Sequence, residues 1–155
     1  MTPFWIKKTL KSFLTKEEEE HIVKCIQEAE RNTSGEIRVY IETNCDHDDA
    51  MYRAKEVFAT LEMEQTQFKN AVIIYIAFED RKLALYGDEG IYTHTGGPAY
   101  WEEILKALKI AFRERDYGRG IGDAVLSIGQ SLSKYFPYDQ KGETNELPDD
   151  IVYGK

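Results

Sequence analysis

Two acidic residues between two glycines are the feature of this chain best suited to chemistry. They lie in Gly87-Asp88-Glu89-Gly90, which follows an apolar run at residues 71–77 and a shorter one at 82–86. Glycine lets a backbone turn tightly and approach a bound ion, and carboxylates supply the hard oxygen ligands that Ca²⁺ and Mg²⁺ prefer. The segment therefore predicts an ion-binding loop. The alternative is a strand-to-loop turn with solvated acids.

The strands around this loop decide which other acids can reach it. Residues 36–42 first alternate charged and apolar side chains, as a half-buried strand does, and residues 70–77 are the near-continuous apolar run of a central strand. Residues 82–86 return as an antiparallel partner. A helix joins the first two strands, so that pair is predicted to be parallel with a right-handed crossover, in a mixed sheet. In this topology Glu36 approaches Asp88 and Glu89 at one sheet edge.

Glu36, Asp88 and Glu89 are therefore the predicted members of an acidic pocket. The metal hypothesis adds Asp116 as a further ligand of a divalent ion, either Ca²⁺ or Mg²⁺. A second cluster, Cys45-Asp46-His47-Asp48-Asp49, follows the first strand and belongs to the opposite edge. We interpret that cluster as a helix cap, because a helix amino terminus favours a negative charge.

Helical patterns surround the sheet. Thr15-Lys16-Glu17-Glu18 has the form of a capping box and starts a helix that runs to about residue 31. Apolar residues recur at helical spacing over residues 101–112 and 121–136. The segment Gly118-Arg119-Gly120-Ile121-Gly122 follows a helix rather than a strand and lacks the Lys-Ser/Thr pair of a P-loop. It therefore predicts tight helix packing instead of a nucleotide site.

Composition limits the classes of function. A length of 155 residues suits one domain, and a net charge of −8 argues against binding to nucleic acid. Cys25 and Cys45 form neither a disulfide framework nor a zinc spacing. No apolar run approaches the roughly 18 residues of a transmembrane helix, and lysines interrupt the apolar start too early for a signal peptide. We expect a cytoplasmic monomer.

The chain is predicted to have three parts. Residues 1–14 form a basic amphipathic segment that is expected to dock on its own domain, with a membrane surface or a partner protein as the alternative. Residues 15–138 form the folded domain. Residues 139–155 are polar and acidic, and they predict a flexible, loosely held tail.

An ordered set of motifs over roughly residues 15–138 resembles the TPM domain, a family named for a thylakoid lumen protein, a photosystem II repair protein and a modulator of acetylcholine receptors. The motifs are Thr33-Ser34-Gly35-Glu36-Ile37-Arg38-Val39, Asn70-Ala71-Val72-Ile73-Ile74-Tyr75, Tyr86-Gly87-Asp88-Glu89-Gly90-Ile91, and Trp101, Phe112, Tyr117, Gly120, Ile121 and Phe136-Pro137. The resemblance is to the short, soluble branch of the family.

This resemblance implies a three-layer α/β/α sandwich in which a small mixed β-sheet is flanked by helices. It also implies binding of a divalent metal, particularly calcium, and a link in plastids to acid phosphatase activity and photosystem repair. Gly87, Asp88 and Gly90 match the acidic glycine loop of the family. Many members carry Asp-Asn-Gly where this chain has Lys69-Asn70-Ala71, and the lost carboxylate favours metal binding over phosphatase chemistry.

Three functions follow from these observations. The leading hypothesis is a soluble domain that binds a divalent metal, with a role in protein maintenance or assembly. The first alternative is a metal-dependent acid phosphatase that hydrolyses phosphomonoesters. The second is a protein-interaction module that uses residues 1–14, for an unidentified protein partner.

Overall fold

The structure is a computed structural model that describes residue 10, residues 12–138 and residues 147–154. The helices are α1 (Lys16–Glu30), α2 (Ala50–Thr60), α3 (Glu89–Thr95), α4 (Glu102–Arg113) and α5 (Tyr117–Tyr135). The strands are β1 (Glu36–Glu42), β2 (Ala71–Ala77), β3 (Lys82–Gly87) and β4 (Val152–Tyr153), and 3₁₀ turns cover Met63–Gln65 and Pro98–Trp101. None of the described helices is both long and apolar enough to cross a bilayer.

The four strands form one mixed sheet in the order β3-β2-β1-β4. β1 runs parallel to β2, with Glu36 opposite Ala71, and β2 pairs with β3 in the antiparallel sense, with Val72 opposite Gly87. Both predicted pairings are confirmed. Because of them, β1 and β2 begin where β3 ends. We call this end of the sheet the Asp88 edge and the other end, where β1 finishes, the Glu42 edge.

Helices cover both faces of the sheet, which confirms the predicted α/β sandwich. The side chains of Ile37, Val39 and Ile41 belong to the core cluster that includes buried residues of α1, α4 and α5. On the other face, Ala54, Val57 and Phe58 of α2 join the cluster beneath Ile73 and Tyr75. The predicted capping box is also present, since Thr15 and Glu18 each accept a hydrogen bond from the other's backbone amide.

The first strand differs from its prediction, because all seven of its residues are buried. Sequence alternation indicated a half-buried strand with its charged side chains in water. Instead Glu36, Arg38 and Glu42 point to the α2 face and are covered there. Arg53 of α2 pairs with Glu42, and residues 147–154 contact Glu36 and Arg38.

The end of the chain also departs from the sequence interpretation. Residues 147–154, for which the polar composition predicts a loosely held tail, lie against β1, and β4 pairs with it in parallel. Ile151 is buried there. At the other terminus, Phe13 and Leu14 are buried and the ring of Phe13 stacks on Phe78 at 4.6 Å between centroids. Residues 1–9 and 11 of the predicted amphipathic segment lie outside the described residues.

The glycines of α5 allow close contact with its neighbours, as the sequence predicted. A Cβ added at Gly120 would lie 2.5 Å from the Cβ of Ala111 in α4, and one added at Gly129 would lie 2.5 Å from the Cβ of Ala29 in α1. Real Cβ atoms do not approach so closely. The close packing of α5 on α1 and α4 therefore requires glycine, which has no side chain, at these two positions.

We expect Gly129→Ala to destabilise the protein although alanine is the better helix former. The gain in helix propensity is about 1 kcal/mol, and overpacking a tight contact costs about 1–3 kcal/mol. The 2.5 Å approach to the Cβ of Ala29 puts the cost in the upper part of that range, about 2–3 kcal/mol. A net loss of about 1–2 kcal/mol in the free energy of unfolding, measured with urea, is therefore the expected result. Ser127→Ala on the exposed face of α5 is the control, and its effect should be small. Equal stability of Gly129→Ala and the wild type would contradict the packing argument.

Candidate functional site

The predicted ion-binding loop is the start of a helix. Asp88 is the N-cap of α3, and its Oδ1 accepts a hydrogen bond of 2.7 Å from the Glu89 amide. The Asp88 amide donates a hydrogen bond of 2.9 Å to the Ala71 carbonyl of β2. The pairing with β2 therefore extends one residue beyond β3. The segment therefore leads directly from β3 into α3, with Asp88 buried rather than solvated, and ion binding there stays a prediction.

Gly87 and Gly90 let α3 pack closely against the sheet edge. A Cβ at Gly90 would lie 2.4 Å from the carbonyl oxygens of both Phe68 and Lys69, the segment that leads into β2. A Cβ at Gly87 would lie 3.1 Å from the Cδ1 of Ile91. Glycine at these positions therefore has a packing role, which brings the start of α3 onto residues 68–69.

Asp88 is a buried carboxyl group that is only partly satisfied. The residue is 7% exposed, and its Oδ2 is buried without a hydrogen-bond partner in the described part of the chain. Burial raises the pKa of Asp88 above its ordinary value, and the charges of Glu89 and Glu64 add to the rise. The amide of Glu89 and the ammonium of Lys69 only partly offset these effects.

Glu64 is a site residue that sequence reasoning missed. It lies in the 3₁₀ turn before β2, its charge acts on Asp88, and its own Oε2 is also buried without a partner among the described residues. The ammonium of Lys69 donates to the backbone carbonyl of Glu64. Lys69 itself has a left-handed backbone, with φ at 53°. No motif marks Glu64, because only the folded chain brings that turn to Asp88.

The other predicted ligands at this edge are separated from Asp88 in different ways. Glu89 is exposed in the first turn of α3. Glu36 lies at the same edge, but Ala71 of β2 stands between it and Asp88, which places their backbones roughly 10 Å apart. The Glu36 side chain is completely buried, and its Oε1 accepts a hydrogen bond of 3.1 Å from the Leu147 amide.

Asp116 lies at the Glu42 edge, far from Asp88. It precedes α5, whose 19 residues span about 28 Å. At its far end α5 reaches the Asp88 edge, where the Phe136 carbonyl accepts a hydrogen bond from the Ser34 amide. Asp116 pairs instead with Arg119 in its own helix. The structure therefore does not bring the four predicted acids together, and within residues 12–138 and 147–154 no three His, Cys, Asp or Glu side chains could jointly hold a metal ion.

The buried carboxylate of Glu42, at the opposite edge of the sheet, is fully compensated. Both oxygens of Glu42 accept hydrogen bonds of 2.9 Å from Arg53, and the hydroxyl groups of Tyr75 and Tyr40 also donate to it. Burial by itself would raise the pKa of Glu42, but these hydrogen bonds and the charge of Arg53 outweigh burial and lower the pKa. Glu42 and Asp88 are thus buried acids whose pKa values shift in opposite directions.

The Cys45–Asp49 cluster behaves as a cap, as predicted. The Asp49 side chain is the N-cap of α2 and accepts from the Met51 amide at 2.9 Å. His47 pairs with Glu56 at 2.8 Å. These groups stabilise the Glu42 edge.

His94 lines a shallow cavity on the α5 side of α3. The cavity has a volume of about 340 Å³ and is lined by Phe68, Gly90, Thr93, His94, Tyr135 and Phe136. The His94 ring stacks on that of Tyr135, with centroids 5.6 Å apart. Among the described residues the cavity is lined by no carboxylate and no second imidazole, and the neighbours of His94 there are the aromatic rings of Tyr135 and Phe136.

We expect Asp88→Asn to stabilise the metal-free protein at neutral pH. Burial raises the folded pKa of Asp88 above its unfolded value, so its contribution to stability is complete below the unfolded pKa and is lost as the pH rises through the folded pKa. Asparagine keeps the Oδ1 that caps α3 and carries no charge. Its advantage in urea unfolding with a chelator should be present at pH 7 and vanish below about pH 4.

Glu42→Gln is the matched control with the opposite sign. The pKa of Glu42 is lowered in the folded protein, so the stability that Glu42 contributes is present above its unfolded pKa and is lost as the pH falls through its folded pKa. The glutamine variant should be less stable than the wild type at pH 7. A destabilised Asp88→Asn at pH 7 would show that the Asp88 charge is already compensated.

Comparisons with known proteins agree with this architecture. The TPM domain family matches residues 9–131. The solution structure of BA42 from the psychrophilic bacterium Bizionia argentinensis is 38% identical, with a TM-score of 0.82 over 99% of this chain and 100% of that one. No curated protein matches the chain.

Two further solution structures share the fold at lower identity. The N-terminal domain of cg2496 from Corynebacterium glutamicum is 15% identical, with a TM-score of 0.63 over 92% of this chain and 88% of that one. An N-terminal domain from P. gingivalis is 18% identical, with a TM-score of 0.59 over 80% and 79%. The family match spans most of the chain, and it includes the Asp88 edge and both layers of helices. The chain therefore belongs to the TPM domain family.

Proposed function

We propose that this TPM domain binds a divalent cation, most readily calcium, at the Asp88 edge of the sheet. The observation that carries the proposal is the buried Oδ2 of Asp88, which has no partner in the described part of the chain. A buried carboxylate oxygen left unpaired is costly, and a cation beside it removes that cost.

The donor groups at this edge suit a hard cation. Within the described chain, Asp88 and Glu64 each have a buried carboxylate oxygen without a partner. Glu89, which follows Asp88 in the sequence, adds an exposed acid. Calcium accepts carboxylate, backbone and water oxygens in flexible arrangements, whereas magnesium demands near-ideal octahedral geometry. Because calcium tolerates an irregular set of oxygen ligands, it is the better fit to this edge, and Asp88 and Glu64 are the residues that would hold it.

Lys69 is a competing cation at the same place. Its ammonium group donates to the Glu64 carbonyl, and its charge lowers the pKa of Asp88. A divalent ion must therefore displace or repel a positive charge that the chain already supplies. We expect a weak site, with a dissociation constant of roughly 10⁻⁴–10⁻³ M.

The other expectations stay predictions. The family resemblance motivates the acid phosphatase alternative and a role in protein maintenance or assembly. The N-terminal interaction module depends largely on residues 1–9, which lie outside the described chain. No observation at the Asp88 edge or in the His94 cavity favours one of these over cation binding.

Calcium should raise the melting temperature of the wild type relative to a chelator. At ten times its dissociation constant a ligand stabilises the folded state by about 1.4 kcal/mol, which corresponds to roughly 3–6 °C for a chain of this size. Asp88→Asn should abolish the shift. Asp116→Asn is the matched control, because that exposed acid at the opposite edge should leave it intact. A shift that survives in Asp88→Asn, or no shift in the wild type, would reject this site.

Lys69→Asn should strengthen the calcium response. The change removes the competing charge, and asparagine tolerates the left-handed backbone that residue 69 adopts. The calcium concentration that produces a given rise in melting temperature should fall several-fold. Lys55→Asn on the exposed surface of α2 is the control for loss of a lysine charge. If Lys69→Asn and the wild type need the same calcium concentration for the same rise in melting temperature, Lys69 does not compete.

A further inference from the structure

We propose that the outer edge of β1 is a binding groove for an extended acidic peptide from a partner protein, and that residues 147–154 are its built-in occupant. This inference is independent of the cation site. It rests on backbone pairing, on two side-chain positions and on one buried arginine.

The backbone contacts are those of strand addition. Tyr40 lies opposite Val152 and Ile41 opposite Tyr153 in a parallel pairing, and the Gly154 amide donates to the Ile41 carbonyl at 2.8 Å. Such main-chain bonds provide affinity for any extended segment, whereas pockets for alternate side chains provide specificity. The β1 edge therefore has the first requirement of a peptide-binding groove.

Two positions of the occupant are selected by shape. Ile151 is 8% exposed and belongs to the core cluster of the α1–α5 side. A Cβ at Gly154 would lie 2.1 Å from the hydroxyl oxygen of Tyr40, so only glycine fits at that position. The groove thus distinguishes an aliphatic residue followed three residues later by a glycine.

Arg38 supplies the electrostatic part of the recognition. The residue is 7% exposed, and its Nη2 contacts the Asp150 carboxylate at a long 3.4 Å. The Asp150 side chain is itself 74% exposed. Nε of Arg38 is buried without a partner among the described residues. A guanidinium group binds a carboxylate best through two parallel hydrogen bonds, and here one of the two is unused.

The incomplete contact leaves room for a better ligand. A partner strand whose carboxylate reaches both Nε and Nη2 of Arg38 would bind the groove more tightly than residues 147–154 do. The resident segment nevertheless has the advantage of a tether, because an intramolecular ligand on a short linker acts at a millimolar effective concentration. It also lies beyond the family match, which ends at residue 131. The tether therefore sets a threshold that a partner must exceed.

A labelled synthetic peptide with the sequence of residues 146–155 tests the groove in the full-length protein. Ile151→Asp places a charge in the buried position of the resident segment and should release it. Fluorescence anisotropy should then show at least about tenfold tighter peptide binding to Ile151→Asp than to the wild type, because the tethered competitor is gone. A peptide of the same composition in scrambled order is the control and should not bind either protein.

Two further changes test the role of Arg38. Adding Arg38→Met to the Ile151→Asp protein, or Asp150→Asn to the peptide, should weaken binding by about three- to fivefold, because the pair is a single 3.4 Å contact to an exposed carboxylate. If circular dichroism shows that Ile151→Asp does not fold, Ile151→Ser replaces it, because that change removes the aliphatic anchor of the resident segment without adding a charge to the core. The proposal is overturned if the folded variant binds the peptide no better than the wild type does. It is also overturned if binding is indifferent to both the arginine and the aspartate.

Discussion

Charged side chains are buried on one face of the sheet, and the fold depends on the hydrogen bonds and ion pairs that compensate them. Glu36, Arg38 and Glu42 all point from β1 toward the α2 side, and Asp88 is buried on the same side at the end of β3. A buried charge is costly unless it is paired or hydrogen-bonded. Each end of the sheet meets this demand differently, and the difference separates the stabilising end of the molecule from the candidate functional one.

At the Glu42 edge the compensation is complete. Arg53 binds both oxygens of Glu42, and two tyrosine hydroxyls donate to it. At the Asp88 edge Lys69 is near, yet Asp88 and Glu64 each keep a buried oxygen without a partner in the described chain. A buried polar group without a partner costs free energy, and a ligand that pairs with the group removes that cost when it binds. This contrast is the physical basis for proposing cation binding at one edge and a structural role at the other.

Residues 147–154 tie the middle of the same face to the end of the chain. The Leu147 amide donates to Glu36, and the Asp150 carboxylate contacts Arg38. The segment also adds the short strand β4 to the sheet. Without them, the buried charges of β1 would lose part of their cover. The same contacts that complete the fold are therefore those that a competing peptide would have to reproduce.

The sequence by itself determined the local elements and their order. The capping box at Thr15, the β1 bounds at residues 36–42, the β2–β3 hairpin and the Asp49 cap all follow from patterns within a few residues, because capping and side-chain alternation are local interactions. The parallel pairing of β1 and β2 also followed, since a helical crossover leaves little choice.

Only the tertiary structure decided which acids meet. Asp116 is carried to the far end of α5, Glu36 is covered by residues 147–154, and Glu64 is brought to Asp88 by a turn with no motif. The flexible tail predicted from its polar composition lies partly in the sheet, because one buried isoleucine and a parallel partner strand outweigh its charges. Pairing, burial and charge compensation are long-range properties, and residue spacing along the chain does not contain them.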